Sequence, residues 1–129
     1  MTVEFEVSAE FSVPRARIYQ AWLDSDGHSK MTGSLAQVSD EPGGSFDAWD
    51  GYIQGTNLEL QPDQRILQSW RTLEFESTDE DSRLEIILTE IPTGTRVTIR
   101  HSNLPEHGMQ YQQGWVDSYY TPMHEYFKS

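Results

Sequence analysis

The residues with most chemistry to offer are one histidine, a set of aromatic rings and a few strand amides. His101 ends a segment whose alternate residues Val97 and Ile99 are apolar, so its imidazole shares their face. An imidazole there can act as an acid, a base or a hydrogen-bond donor inside a cavity, or it can be a satisfied structural group at a strand end. Trp22, Trp49, Tyr52, Trp70, Tyr111, Trp115 and Tyr119 form an aromatic-rich set. Rings with polar tips suit a pocket that stacks on and orients a flat or apolar molecule, and they equally suit a packed core. Trp22 and Trp49 are expected to be more structural, and Trp70, Tyr111, Trp115 and Tyr119 nearer a pocket. Gln54, Thr56 and Gln68 share parity with apolar positions that should face inward. A buried amide left unbonded costs about 1–3 kcal/mol, so Gln54 and Gln68 should meet each other, water or a ligand.

Other chemistries find no foothold. The four histidines, His28, His101, His107 and His124, include no pair at helical i, i+4 spacing, and no cysteine joins them, so no metal site is expected. No nucleophile with a neighbouring base, no glycine-rich phosphate loop and no paired carboxylates can be picked out, so no catalytic residue is assigned. Asp50-Gly51 reads as a tight turn rather than a catalytic carboxylate. Asp24-Ser25-Asp26-Gly27 lacks the terminal glutamate of a calcium loop. A formal net charge of −12 repels phosphate backbones and anionic lipid heads, which argues against nucleic-acid and membrane-surface partners. Absence of cysteine, of a signal-peptide pattern and of any long apolar stretch leads to the expectation of a cytoplasmic protein.

The elements that must position these groups follow from periodicity. Val3, Phe5, Val7 and Phe11 alternate as a half-buried strand. Pro14 opens a helix with Ile18, Ala21 and Trp22 on one face, ended by Asp24 to Gly27, and a short helix or turn follows over His28 to Met31. Strands are expected over Leu35–Val38, Ser45–Trp49, Tyr52–Leu60, Arg65–Glu74, Arg83–Ile91 and Arg96–Ser102, with turns at Pro42-Gly43-Gly44, Asp50-Gly51, Gln61–Gln64 and Pro92-Thr93-Gly94. On the third of these, Tyr52, Gln54, Thr56, Leu58 and Leu60 lie on one face. Short connections argue for an antiparallel meander. Glu106 to Phe127 reads as a long helix with Tyr111, Trp115, Tyr119, Met123 and Tyr126 on one stripe, kinked near Ser118 by Pro122. Only that helix is long enough to cover the sheet, giving an α+β layout in a single domain over residues 1–129.

Several phrases in this order resemble the START-like, or SRPBCC, superfamily and, within it, the group of homologues of the activator of heat-shock protein 90 ATPase. They are Phe11-Ser12-Val13-Pro14 with Ile18 to Trp22, His28 with Met31-Thr32-Gly33, Gly43 to Phe46, Trp49 to Gly55, Asn57 to Leu60, Ser69-Trp70-Arg71, Gly94-Thr95, His101, Leu104-Pro105 and Gly114-Trp115. The resemblance implies a helix-grip fold: a curved antiparallel sheet of about six to seven strands around the last helix, with an apolar cavity between them. It also implies either a small-molecule binder or a stress-related co-chaperone. The candidate ligand residues are Gln54, Thr56, Gln68, Trp70, His101, Tyr111, Trp115, Tyr119 and Met123, with an apolar or aromatic ligand, a chaperone as the other possible partner, no cofactor, and a monomer or homodimer as the assembly. A cavity enzyme using His101 is a further alternative.

Overall fold

The computed structural model describes residues 2–128. Its elements are β1 (Val3–Phe11), α1 (Arg15–Trp22), α2 (Ser25–Thr32), β2 (Gln37–Val38), β3 (Ser45–Ala48), β4 (Ile53–Gln61), β5 (Arg65–Thr72), β6 (Ser82–Ile91) and β7 (Gly94–Leu104). A C-terminal helical segment follows, built from a tight 3-10 turn (Glu106–Met109), α3 (Gln110–Gly114), a widened π turn (Trp115–Tyr120) and α4 (Thr121–Tyr126). The strands form one sheet in the order β1-β7-β6-β5-β4-β3-β2, antiparallel throughout. The expected meander is therefore present from β2 to β7, and β1 joins its far edge. The sheet curves around the C-terminal helix as a helix-grip fold requires.

The register divides the concave face into rows. Leu60, Ile66, Ile86, Ile99 and Val7 are successive cross-strand partners, a purely apolar row. The next row reads Asn57, Gln68, Leu84, His101 and Phe5, and a third reads Phe46, Gly55, Trp70 and Ser82. The character of the inner face thus changes along the strands, from aliphatic to amides and an imidazole to large rings. On the convex face Glu6, Arg100, Glu85, Arg65 and Glu59 form a chain of ion pairs, which keeps that side solvated.

The face of β4 corrects the expected parity. Ile53 and Asn57 are buried and Gly55 half-buried, whereas Gln54 is exposed and Thr56 points outward opposite Ser69. A bulge between Asn57 and Glu59 then reverses the alternation, so that Leu60 faces inward beside Ile66. Gly55 is required by close approach: a Cβ there would lie 2.6 Å from the Phe46 ring and nearer still to the Ser69 carbonyl.

One helix boundary also differs from expectation. Asp24 does not end a helix so much as start one: its carboxylate accepts the Gly27 N–H at 2.7 Å as the N-cap of α2, which Gly33 closes at φ 83°. Pro122 does disturb the last helix where expected. It has no N–H to offer the Ser118 carbonyl, and the turn before it widens to the π form. The extra residue buries both Tyr119 and Tyr120 and carries the stripe on through Met123 to Phe127, leaving Tyr126 at the surface.

Candidate ligand pocket under the C-terminal helix

Between the β3–β4 turn, the ends of β4 and β5, and the helix lies a half-open cleft of about 340 Å³, lined by Trp49, Tyr52, Ile53, Trp70, Tyr111, Gly114, Trp115, Ser118 and Tyr119. The helix contributes Tyr111, Gly114, Trp115, Ser118 and Tyr119, a stripe at i, i+3, i+4, i+7 and i+8. The sheet contributes Trp70, whose ring packs on Tyr111 at 4.9 Å and on Trp115 at 5.8 Å. Trp49 closes the side from a turn in which Trp49, Asp50 and Gly51 all adopt positive φ, at 54°, 57° and 87°. A bulky ring residue in the left-handed region is strained by on the order of 1 kcal/mol, so the turn holds this side chain over the cleft against its backbone preference.

Two hydrogen-bond chains fix the walls. In the first, Trp115 Nε1–H donates to His101 Nδ1 at 3.0 Å, His101 Nε2–H donates to Ser82 Oγ at 2.8 Å, and the Ser82 hydroxyl donates to the Trp70 carbonyl at 2.6 Å. In the second, the Tyr119 hydroxyl donates to His28 Nε2 at 2.8 Å and His28 Nδ1–H donates to the Trp22 carbonyl at 2.9 Å. The obligate partners dictate the tautomers: the Trp115 N–H needs an acceptor at His101 Nδ1, so His101 carries its proton on Nε2, and the Trp22 carbonyl needs a donor, so His28 carries its proton on Nδ1. Burial holds both rings neutral, lowering the His101 pKa to about 3 and the His28 pKa below its ordinary value. Burial also raises the Tyr119 and Tyr52 hydroxyls far above the usual phenol range, so neither ionises near neutral pH.

The remaining polar groups are few. The Tyr111 and Thr72 hydroxyls share a bond of 2.6 Å, and the Tyr52 hydroxyl donates to the Glu74 carboxylate. Trp49 Nε1 lies toward the Tyr119 hydroxyl but makes no hydrogen bond, and it is buried without a partner among the described residues. Gln68 donates to Asn57 Oδ1 at 2.9 Å, while its own oxygen is buried and unpaired.

Of the residues expected to meet a ligand, Trp70, Tyr111, Trp115 and Tyr119 come together as lining. His101 and Met123, each fully buried, lie outside the lining, and both His101 nitrogens are engaged. Gln68 is buried against Asn57 rather than against Gln54. Gln54 and Thr56 are on the opposite face of β4, because the inward positions there are Ile53, Gly55 and Asn57. Trp49, expected to be structural, is a cleft wall, whereas Trp22 is the packed support behind Tyr119 at 5.1 Å. Gly114 and Ser118 were missed despite lying at i+3 and i+7 from Tyr111, since neither is apolar. Ile53 was missed with the parity of β4, and Tyr52, counted in the aromatic set but given no place at the pocket, is part of the lining. The lining offers rings and hydroxyls and no titrating base, and among the described residues no three histidine, aspartate or glutamate side chains gather to hold a metal ion.

A family model described as Activator of Hsp90 ATPase homolog 1-like protein matches residues 12–128. The chain belongs to that family. Among solved structures, this family member superimposes on an HSP90 activator from Plasmodium falciparum with a TM-score of 0.85 at 22% identity, over 95% of this chain and 94% of that one. In sequence it is 30% identical over 70 residues to an activator of 90 kDa heat shock protein ATPase homolog of Dictyostelium discoideum, covering 54% of this chain and 18% of the relative. It is 22% identical over 111 residues to an uncharacterized protein of Schizosaccharomyces pombe, covering 77% of this chain and 33% of the relative. The family member thus spans a third or less of those two curated relatives.

Proposed function

We infer that the domain is a small-molecule binding module whose ligand sits in the cleft between the β3–β4 turn and the C-terminal helix. Gly114 is the observation that carries this reading. A glycine in mid-helix weakens the helix by about 1 kcal/mol relative to alanine, and such a residue is normally explained by close packing. Here a Cβ would meet nothing within 4 Å. The small residue serves no packing need, and it keeps one wall of the cleft open. The size of the cleft and its apolar, ring-lined character are those of a site for a small ligand.

Intrinsic tryptophan fluorescence tests the reading, because three of the lining rings are indoles. Titration with a panel of lipids and aromatic metabolites is expected to give saturable quenching for at least one class. Gly114→Leu, whose Cβ meets nothing within 4 Å, is expected to abolish that response without lowering the melting temperature. A flat response across the panel, unaltered by the variant, overturns the proposal.

A chaperone-directed role is the second reading, favoured by the likeness to the Plasmodium protein, itself matched over nearly its whole length. The acidic surface would meet a basic patch on the chaperone, with a salt-sensitive association rate. A pull-down and an ATPase assay with the host's 90 kDa heat-shock protein decide it: absence of binding at low salt with unchanged turnover eliminates this reading.

A further inference from the structure

We propose that the cleft takes a small organic cation, a quaternary or alkylated ammonium group, in preference to a neutral plate or an anion. This rests on the cleft being a binding site and adds the chemical class of its occupant. Six of the nine lining residues are aromatic, and none is lysine, arginine or histidine. The orientation of the rings separates the candidate shapes. A slot for a flat molecule needs near-parallel walls, but Trp70 meets Tyr111 at 78° and Trp115 at 42°, and Trp115 meets Tyr119 at 49°. Rings inclined in this way form a box around a rounded group. The negative faces of aromatic rings attract a cation, and they do so most strongly where water is excluded.

Charge points the same way. The Tyr52 hydroxyl in the lining is held by the Glu74 carboxylate, and the exposed Asp50 follows Trp49 in the turn. The basic groups of the neighbouring elements are already committed, Arg71 to Asp81 at 2.8 Å and Lys30 to Asp26 at 3.0 Å. An anion entering this mouth would meet like charge, whereas an ammonium group would be drawn in.

The test uses the whole protein with two probes of one shape: choline, and its uncharged isostere in which a quaternary carbon replaces the nitrogen. Nitrogen–proton NMR of the four indole N–H groups, with fluorescence, reads occupancy. Choline is expected to bind at least about tenfold more tightly than the isostere. Glu74→Gln is expected to weaken choline about threefold and to leave the isostere unchanged. Equal or tighter binding of the isostere overturns the cation preference while leaving the cleft a binding site, and so does an unchanged choline affinity in Glu74→Gln. Silence of all four indoles toward both probes also overturns it, and the apolar panel with Gly114→Leu then decides separately whether the cleft binds anything.

Discussion

The two halves of the C-terminal helix rest on the same sheet and do opposite things with it. From Tyr120 onward the helix is anchored. Tyr120 and Phe127 pack on Phe11, His124 stacks on the same ring at 4.4 Å, and the Tyr120 hydroxyl donates to the Val7 carbonyl at 2.8 Å. From Tyr111 to Tyr119 its rings are tied down by hydrogen bonds at their tips, two of them to strand residues, while their faces line a cleft. The rows of the sheet follow the same division: a solid aliphatic row through Ile66, Ile86 and Ile99, then a row containing Gln68 and His101, then Trp70 beside Gly55. The hydrogen-bonded groups of the polar row fix the orientation of the rings beside them, as His101 does for Trp115.

The largest effect should come from the solid half. Ile86 is fully buried, and Ile86→Ala is expected to cost about 3 kcal/mol in urea unfolding while leaving ligand response in the cleft unchanged. A cost below about 1 kcal/mol would show that this half is as loosely filled as the other.

Next in size is the effect of acid on the polar row. The unfolded chain binds a proton on each histidine below about pH 6.5, whereas folded His101 does so only near pH 3 and folded His28 only below its usual range. The unfolded state therefore holds more protons in this window. His101 alone should remove about 1.4 kcal/mol of stability per pH unit as pH falls from about 6.5 toward 3. Between pH 7 and 5 the stability gap between the natural protein and His101→Gln should narrow by about 2 kcal/mol. A gap independent of pH would mean that His101 is solvated or charged in the folded state.

The smallest effect belongs to the open half. Gly114→Ala should stabilise by about 0.5–1 kcal/mol, since the added methyl meets nothing and the helix gains propensity. Destabilisation would place a neighbour against that position and remove the sharpest difference between the halves.

The sequence revealed much of this frame, for reasons that also explain its failures. β1 was legible because its inward residues are apolar or aromatic at every second position, and β5 because Ile66 and Trp70 mark its inner face even though Gln68 and Thr72 share it. β4 was not: its inward residues include a glycine and an asparagine, and a bulge breaks the period, so Gln54 and Thr56 were assigned to the wrong face. The rings of the helix were legible from spacing, and Pro122 announced a disturbance. Spacing alone did not announce a one-residue expansion, which exchanged Tyr126 for Phe127 in the core. Trp49 was legible as a turn neighbour but not as a cleft wall, because its placement depends on a left-handed backbone that its residue type disfavours. The second hydrogen-bond chain joins His28 to Tyr119 across 91 positions, a pairing that only tertiary structure produces.

The widened turn at Trp115–Tyr120 also sets the phase between the two halves. Removing one residue from it would restore ordinary winding and swing Tyr120, Met123 and Phe127 by about 100° about the axis, lifting the anchor off Phe11 while Trp115 stayed in place. The inserted residue works as a clutch between two gears: upstream rings can be exchanged, and the cleft reshaped, without re-cutting the teeth that grip β1.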